Sequence, residues 1–142
     1  MKALFRGFCR NENGKETIYL NGEEVKGYWV QGYYQNICGF HEIVTENKEK
    51  SFSIITYQVI PETVSEAVRG FIDLYGKKVF IGDIVKNIHS GTVGEVIYTY
   101  EFAYKIKKQD GYDIWIGAND YYTWEVIGTK WDKGEQKWTK DN

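Results

Sequence analysis

The stretch that decides the fold is GKKVFIGDIVKN, residues 76–87, in which a Gly-Asp doublet separates the apolar runs VFI and IV. Gly82 can adopt a backbone angle that a Cβ atom forbids. The carboxylate of Asp83 can accept a hydrogen bond from a nearby backbone N–H and so close a turn. The doublet therefore predicts a sharp change of direction between two short strands, and we interpret Gly82 and Asp83 as residues that define the fold.

The composition of the whole chain also favours β-structure. Of its 142 residues, 17% are aromatic, and fifteen glycines stand against a single proline, Pro61. Aromatic side chains are enriched in strands, and glycines in tight turns. The hydrophobic content of 42% is enough to bury a core. We predict a mainly β protein with at most one short helix.

Charge and hydropathy exclude several classes of partner. A net charge of −2 gives no global field that would attract nucleic acid or an anionic membrane. No apolar run approaches the roughly 18 residues of a membrane-spanning helix. Arg6 falls where a signal peptide needs its apolar region. We expect a soluble, cytoplasmic protein with no membrane partner, in which Cys9 and Cys38 are reduced and buried, the alternative being one disulfide.

Turn signals divide the first 60 residues into short strands. NENG at 11–14 predicts a turn with Gly14 at positive φ, and Asn21-Gly22 predicts a hairpin between TIYL and EVKGYWV. The charged segment TENKEKS at 45–51 predicts an exposed loop before the run FSIITYQVI. We therefore expect an N-terminal β-hairpin region over residues 1–60.

Pro61 ends that run and opens the stretch PETVSEAVRGFIDLY. Its apolar residues Val64, Val68, Phe71 and Tyr75 recur at spacings of three or four, which predicts a short helix over 62–70. Pro61 suits the start of such a helix, and a glycine at position 70 suits its end.

The C-terminal half is predicted to be β again. Apolar and aromatic residues alternate strictly from Val96 to Ile106, which indicates one half-buried strand with an aromatic face. A strand of this length exceeds the usual five or so residues, so we expect a bend or bulge near Glu101. The polar tail is expected to fray, with Trp131 and Trp138 as its tethers.

The Gly-Asp turn, the polar loop after it and the series of short strands favour a small SH3-like β-barrel over residues 61–142, with a frayed tail. An ordinary hairpin within a larger sheet is the alternative. The barrel and the N-terminal region are expected either as two domains or as one structural unit.

Several ordered segments resemble the YopX family of phage and prophage proteins. They are FRG at 5–7, GEEVKGYWVQGYY at 22–34, VIPETV at 59–64, GKKVFIGDIVK at 76–86 and EVIGT at 125–129. The resemblance covers roughly residues 3–130, but SEAVRG at 65–70 departs from the Gly-Gln-Tyr-Thr-Gly-like segment of the family. It implies an SH3-like barrel, assembly into homo-oligomers, an unknown biological function and the cytoplasm of a bacterial host, and it brings no catalytic residues.

Candidate chemistry is sparse. Cys38 and His41 have C-x2-H spacing, but Cys9 and His89 are isolated, whereas structural zinc needs four closed ligands. The same Cys38–His41 pair could serve as thiol and base, but no third orienting group is identifiable. We expect no metal, no cofactor and no enzymatic activity, with an unknown phage or host protein as partner.

Two non-enzymatic functions remain. The first is a self-assembling interaction module, because surplus aromatic residues are typical of interfaces. Its candidate interface is Tyr28, Trp29, Tyr33 and Tyr34, with further surplus at Tyr121, Tyr122 and Trp124.

The alternative is a nucleic-acid-binding small barrel. Its candidate contacts are Lys105, Lys107, Lys108 and Tyr112, which combine basic and stacking side chains. Residue parity opposes this alternative in part, because Lys105 and Lys107 alternate with Tyr104 and so fall on the other face of the strand.

Overall fold

The computed structural model describes residues 3–47, 53–99, 103–109, 111–116 and 123–133. These residues form twelve strands joined by turns, and they contain no α-helix. Antiparallel pairing joins β1 to β3 and to the start of β6, and it joins the successive strands of both sheets wherever the register is defined. The prediction of a mainly β protein is therefore confirmed. Within the described part of the chain, no helix is long and apolar enough to cross a membrane.

The chain divides into two compact units, residues 1–67 and 68–142. The sequence placed the division between residues 60 and 61 instead. Residues 61–67 belong with the first unit because Ser65 and Glu66 pair with its first strand. The Ala67 N–H also donates to the carbonyl of Leu4, the residue before that strand, at 2.9 Å.

The first unit is a sheet built around one long strand. Its strands are β1 (Phe5–Arg10), β2 (Glu16–Leu20), β3 (Glu23–Ile37), β4 (Phe40–Asn47), β5 (Ser53–Gln58) and the start of β6 (Ser65–Ile72). The order is β5-β4-β3-β1-β6, and β2 pairs with β3 beside β1.

Glycines allow the two halves of β3 to serve different neighbours. Residues 27–32 of β3 pair with β1, and residues 33–37 pair with β4. A Cβ atom at Gly27 would lie 2.0 Å from the Cys9 carbonyl oxygen, and one at Gly32 would lie 2.1 Å from the Val44 carbonyl oxygen. Neighbouring backbone therefore approaches β3 more closely than any side chain permits. The buried apolar residues of this unit include Phe8, Ile18, Val25, Ile43 and Val59.

The second unit contains the end of β6, then β7 (Lys78–Phe80), β8 (Asp83–Asn87), β9 (Val93–Thr99), β10 (Ala103–Lys108), β11 (Ile114–Trp115) and β12 (Trp124–Thr129). β7 pairs with β6, and the other five form a sheet in the order β11-β10-β9-β8-β12. Its core gathers Val68, Phe71, Val79, Val85, Val96, Ile106 and Trp124. β11 and β12 are the two ends of this sheet, so it is not closed, and a closed SH3-like barrel is not confirmed.

The Gly82-Asp83 turn has the geometry that the sequence predicts. Gly82 has φ +93°, and the buried Asp83 carboxylate accepts the Phe80 N–H at 2.8 Å. The Gly82 N–H donates to the Val96 carbonyl at 2.8 Å, and the Gly82 carbonyl accepts the Lys130 N–H at 2.7 Å. The indole of Trp131 covers the glycine and is itself buried, so Trp131 tethers the tail as expected. Trp138 lies outside the described residues.

The predicted helix over 62–70 is wrong. Pro61–Thr63 form a single 3₁₀ turn, and Val64 has already returned to an extended conformation with ψ 124°. β6 begins at Ser65, where it pairs with Arg6 of β1. Backbone bonds to β1 outweigh the helical spacing because a short helix gains little from propensity alone. Gly70, with φ +76°, lies inside β6 rather than at a helix end.

Thr63 explains why the PET turn sits where it does. Its side chain is fully buried, its hydroxyl oxygen accepts the Phe8 N–H at 2.9 Å, and the hydroxyl donates to the Ile60 carbonyl at 2.6 Å. The turn is therefore bonded to β1 through the Thr63 side chain and also through its backbone, because the Ile60 N–H donates to the Phe8 carbonyl.

The single strand predicted from Val96 to Ile106 is a hairpin. β9 and β10 pair antiparallel, with Tyr98 opposite Tyr104 and Val96 opposite Ile106. Each of these pairs joins two even-numbered residues. The even-numbered residues of both strands therefore lie on the same face of the hairpin, as the alternation predicts, and Val96 and Ile106 are both buried there. The expected bend near Glu101 falls outside the described residues, but the chain reverses between Thr99 and Ala103.

Smaller predictions have mixed outcomes. The Asn21-Gly22 hairpin is confirmed, with φ values of +51° and +80° and β2 paired to β3. Gly14 does not have positive φ; a Cβ there would lie 2.4 Å from the Gly27 Cα, so close approach explains this glycine. The predicted loop at 45–51 begins later than expected, because β4 continues to Asn47. Neither cysteine is in a disulfide, but Cys38 is exposed and Cys9 is only half-buried, so the expected burial of both is wrong.

We predict that Gly82→Ala destabilises the second unit more than Gly76→Ala does. Both glycines have positive φ, but a Cβ at position 76 meets open space, whereas one at 82 lies 3.0 Å from the Trp131 ring. We expect a loss of roughly 1–2 kcal/mol in free energy of unfolding at 76 and roughly 2–5 kcal/mol at 82. Urea denaturation of the two variants measures this difference, and equal losses would contradict the packing of Trp131 on Gly82.

We predict that Thr63→Val lowers the free energy of unfolding by about 1–3 kcal/mol, because the buried Phe8 N–H loses its acceptor. Hydrogen exchange of the Phe8 amide should accelerate in the same variant. Thr63→Ser is the control: it keeps the hydroxyl, so exchange at Phe8 should stay slow although a buried methyl group is lost. Fast exchange in the serine variant would show that the methyl group, not the hydroxyl, holds the turn.

Candidate functional site

The edge strand β5 exposes apolar side chains at the end of the first unit's sheet. It pairs with β4 on one side, and no other described strand pairs with it. Ile54 is 64% exposed and Ile55 is 43% exposed. The surrounding segment, residues 51–60, contains no charged residue, glycine or internal proline. Natural edge strands are usually protected by such residues, so β5 has the composition of a strand that accepts a neighbour.

The register on β4 decides which backbone groups β5 presents at this edge. Val59 donates its N–H to the His41 carbonyl at 2.9 Å, and the same register pairs Tyr57 with Ile43 and Ile55 with Thr45. Hydrogen-bonded pairs alternate along an antiparallel ladder. The N–H and C=O groups of Ile54, Thr56 and Gln58 therefore point away from β4, toward the open edge.

The aromatic residues proposed from sequence as an interface lie mainly within the fold. Tyr28 is exposed, but Trp29, Tyr33 and Tyr34 are half-buried. The Trp29 ring contacts Phe8 edge-on at 5.2 Å between centroids and lies under the Arg6 guanidinium at 4.7 Å. The Tyr34 ring packs on Phe5 at 5.6 Å. These contacts hold two of the four side chains, Trp29 and Tyr34, against their own unit.

The other aromatic residues that the sequence analysis proposed for the interface are Trp124, Tyr121 and Tyr122. Trp124 belongs to the buried core of the second unit and offers no surface. Tyr121 and Tyr122 lie outside the described residues.

The basic residues proposed as nucleic-acid contacts lie on and beside β10. Lys105 and Lys107 share one face of the strand, and Tyr104 faces the other way, as parity predicts. Lys108 is half-buried, and its ammonium reaches Gly111 in the following turn. Tyr112 is 91% exposed. The four residues are thus near one another in the chain but do not form one face.

Sequence reasoning missed a side chain that does share the Lys105 face. Trp115 of β11 lies directly across from Lys105 and is 56% exposed. The Lys105 ammonium sits 4.0 Å from the centroid of the indole. In YDIWI, Trp115 alternates with Ile114 and Ile116, so its side chain must lie on the face of the strand opposite theirs. This alternation could have identified Trp115 as outward-facing.

In the part of the chain that the structure describes, no group of three or more cysteine, histidine or acidic residues is placed to hold a metal ion. Cys38 has φ +52° in the turn between β3 and β4, and His41 bonds through Nδ1 to the Tyr34 hydroxyl rather than to Cys38. Cys9 lies beside an open surface groove of about 510 Å³ that also contacts Tyr57 and Ile60. Burial raises the pKa of the Cys9 thiol, the opposite of what an activated nucleophile requires.

A scan of protein-family models finds no match to this chain, and neither does a search of curated proteins. The resemblance to the YopX family therefore remains a prediction from the quoted segments.

We predict that iodoacetamide alkylates Cys38 faster than Cys9 near pH 8. Cys38 is exposed, whereas Cys9 is half-buried with a raised pKa, so a smaller fraction of it is thiolate. The rate at Cys9 should keep rising at a pH above that at which an ordinary thiol has ionised. Mass spectrometry of Cys9→Ser and Cys38→Ser variants measures each thiol alone, and the urea-unfolded chains, where both should react alike, are the control. A faster native reaction at Cys9 would contradict its desolvation.

Proposed function

We propose that this chain is a non-enzymatic interaction module that self-assembles by pairing the β5 edge of one copy with the β5 edge of a second copy. The observation that carries the proposal is the composition of that edge: two exposed isoleucines in a segment without charge. Strand addition at an open edge gains backbone hydrogen bonds as well as apolar contact.

The segment SIITYQ is complementary to itself when it runs antiparallel. If the two-fold axis passes between the two copies of Thr56, the outward backbone groups of Ile54 meet those of Gln58 in the other copy. The three residues that point their backbone away from β4 are then all bonded. This register uses every donor and acceptor that β5 presents at the edge.

The same register makes favourable side-chain pairs. Ile55 lies opposite Tyr57 of the second copy on one face, and the two threonines lie opposite each other on the other face. Aromatic with β-branched residues, and threonine with threonine, are stabilising cross-strand pairs. No like charges meet, because the segment has none. The strand therefore pairs more favourably with a second copy of itself than with a charged strand, to which it offers no opposite charge.

We further propose that the protein is YopX-like, of phage or prophage origin, and acts in the cytoplasm of a bacterial host. Support comes from the five sequence segments that resemble the family. The strand order of the second unit supports an SH3-like topology, since β8 to β11 run as a meander and β12 returns to pair with β8. On this proposal the second unit is a partly open barrel, and its partner is an unknown phage or host protein.

We predict that Thr56→Lys weakens self-assembly. The substitution places two like charges directly opposite each other at the axis, which costs several kcal/mol and should raise the dissociation constant by roughly 100-fold or more. Size-exclusion chromatography with light scattering should show a multiple of the 16.6 kDa chain mass for the unaltered protein and the chain mass for the variant.

Two further variants separate the edge from the fold. Thr56→Pro removes an N–H that points away from β4, so it should abolish assembly while the monomer stays folded. Thr56→Val keeps a β-branched residue of similar size and should leave assembly intact. A monomeric unaltered protein, or assembly that survives both the lysine and the proline variants, would sink the proposal.

A further inference from the structure

We infer that the outward face of β10 and β11 binds single-stranded nucleic acid by stacking an unpaired base on Trp115. This surface is separate from β5 and belongs to the second unit. The arrangement that points to it is the row Ile97, Lys105 and Trp115, which lie side by side on three adjacent strands.

The indole is placed as a stacking platform. It is 56% exposed although it belongs to a paired strand, so more than half of its surface stays open to solvent. The Lys105 ammonium lies 4.0 Å from the ring centroid, where it is attracted by the electron-rich face. Because Lys105 covers one face of the ring, an unpaired base stacks on the opposite face, with the Lys105 cation close enough to contact its phosphates. Aromatic platforms beside basic side chains are the usual means by which small β-domains hold single strands.

A second exposed aromatic residue precedes Trp115 in the chain. Tyr112 is 91% exposed in the turn that leads into β11. Lys108 extends to Gly111, one residue before this tyrosine. Tyr112 and Lys108 therefore add a second aromatic ring and a second cation close to β11 in the chain.

Acidic residues beside the lysines make this face better suited to single-stranded than to duplex nucleic acid. Lys107 is exposed on the same face as Lys105, but Glu95 lies directly across from it, and Asp113 is exposed beside Tyr112. The net positive charge is therefore small, and duplex DNA, whose bases are already stacked, would offer this face little beyond weak phosphate contact. An unpaired base offers the additional stacking energy that the exposed indole can use.

The test is a fluorescence-anisotropy titration of a short labelled oligodeoxythymidine, at low salt and at physiological salt. Trp115→Ala should weaken binding by roughly 5- to 150-fold, the range expected for the loss of one stacked base. Trp115→Phe should recover part of that loss because it restores an aromatic face. Lys105→Gln should weaken binding less and make it less dependent on salt.

Tyr75→Ala is the matched control, since it removes another exposed aromatic residue of the same unit, 74% accessible, which lies in the turn between β6 and β7. It should leave the affinity unchanged. The inference is overturned if the unaltered protein does not bind at low salt, if Trp115→Ala binds as tightly as Tyr75→Ala, or if a duplex or polyglutamate binds as tightly as the single strand. Light scattering on Trp115→Ala should show unaltered assembly, so failure here is distinguishable from failure at β5.

Discussion

The turn at Gly82-Asp83 is the constraint on which the second unit depends, because four separate segments meet at two residues. The glycine bonds through its N–H to β9 and through its carbonyl to the residue after β12, and the Asp83 carboxylate holds the end of β7. Trp131 then covers the glycine in place of a side chain. A residue with a Cβ would push the indole away and strain the backbone at once, so the order of strands around β8 follows from this position.

The parts of the fold that sequence could predict are those set by local sterics. Asn21-Gly22 and Gly82-Asp83 each require positive φ, and few residue pairs other than these adopt it cheaply. The predictions that failed concern segments where tertiary bonds decide. The spacing of Val64, Val68 and Phe71 fits a helix, but the backbone of 65–67 finds donors and acceptors on β1. The segment from Thr99 to Ala103 contains neither glycine nor proline, so the sequence gives no turn signal there. The alternation pattern alone therefore predicted one continuous strand. The buried Asp73 accepts the N–H groups of Tyr75 and Lys77 within its own turn and that of Val126 in β12. The last of these bonds joins residues 53 apart in the chain, so no local pattern could predict it.

The candidate site was harder to predict than the fold for a related reason. Exposure of a side chain depends on which strand lies at the edge of a sheet, and strand order is not a local property. SIITYQ reads as a buried strand by composition, yet it is an edge strand with two exposed isoleucines. The aromatic residues of β3 form a surplus by composition, yet Phe5 packs against Tyr34, and Phe8 and Arg6 pack against Trp29. Parity could assign Lys105 and Tyr104 to opposite faces, but it could not reveal that Trp115 lies beside Lys105, since that contact joins two strands across a turn.

An uncharged edge strand can cause aggregation by adding strands from further copies. The geometry of β5 limits this growth. β4 already occupies one side, so each copy presents a single row of outward donors and acceptors. A two-fold pairing about Thr56 is isologous: it consumes the same row on both copies and leaves no β5 edge to recruit a third. Pairing in a head-to-tail sense would need a second, different edge of matching composition. The self-complementarity of SIITYQ thus favours a closed assembly over open-ended growth, which is how a strand with no charge, glycine or internal proline can remain compatible with a discrete complex.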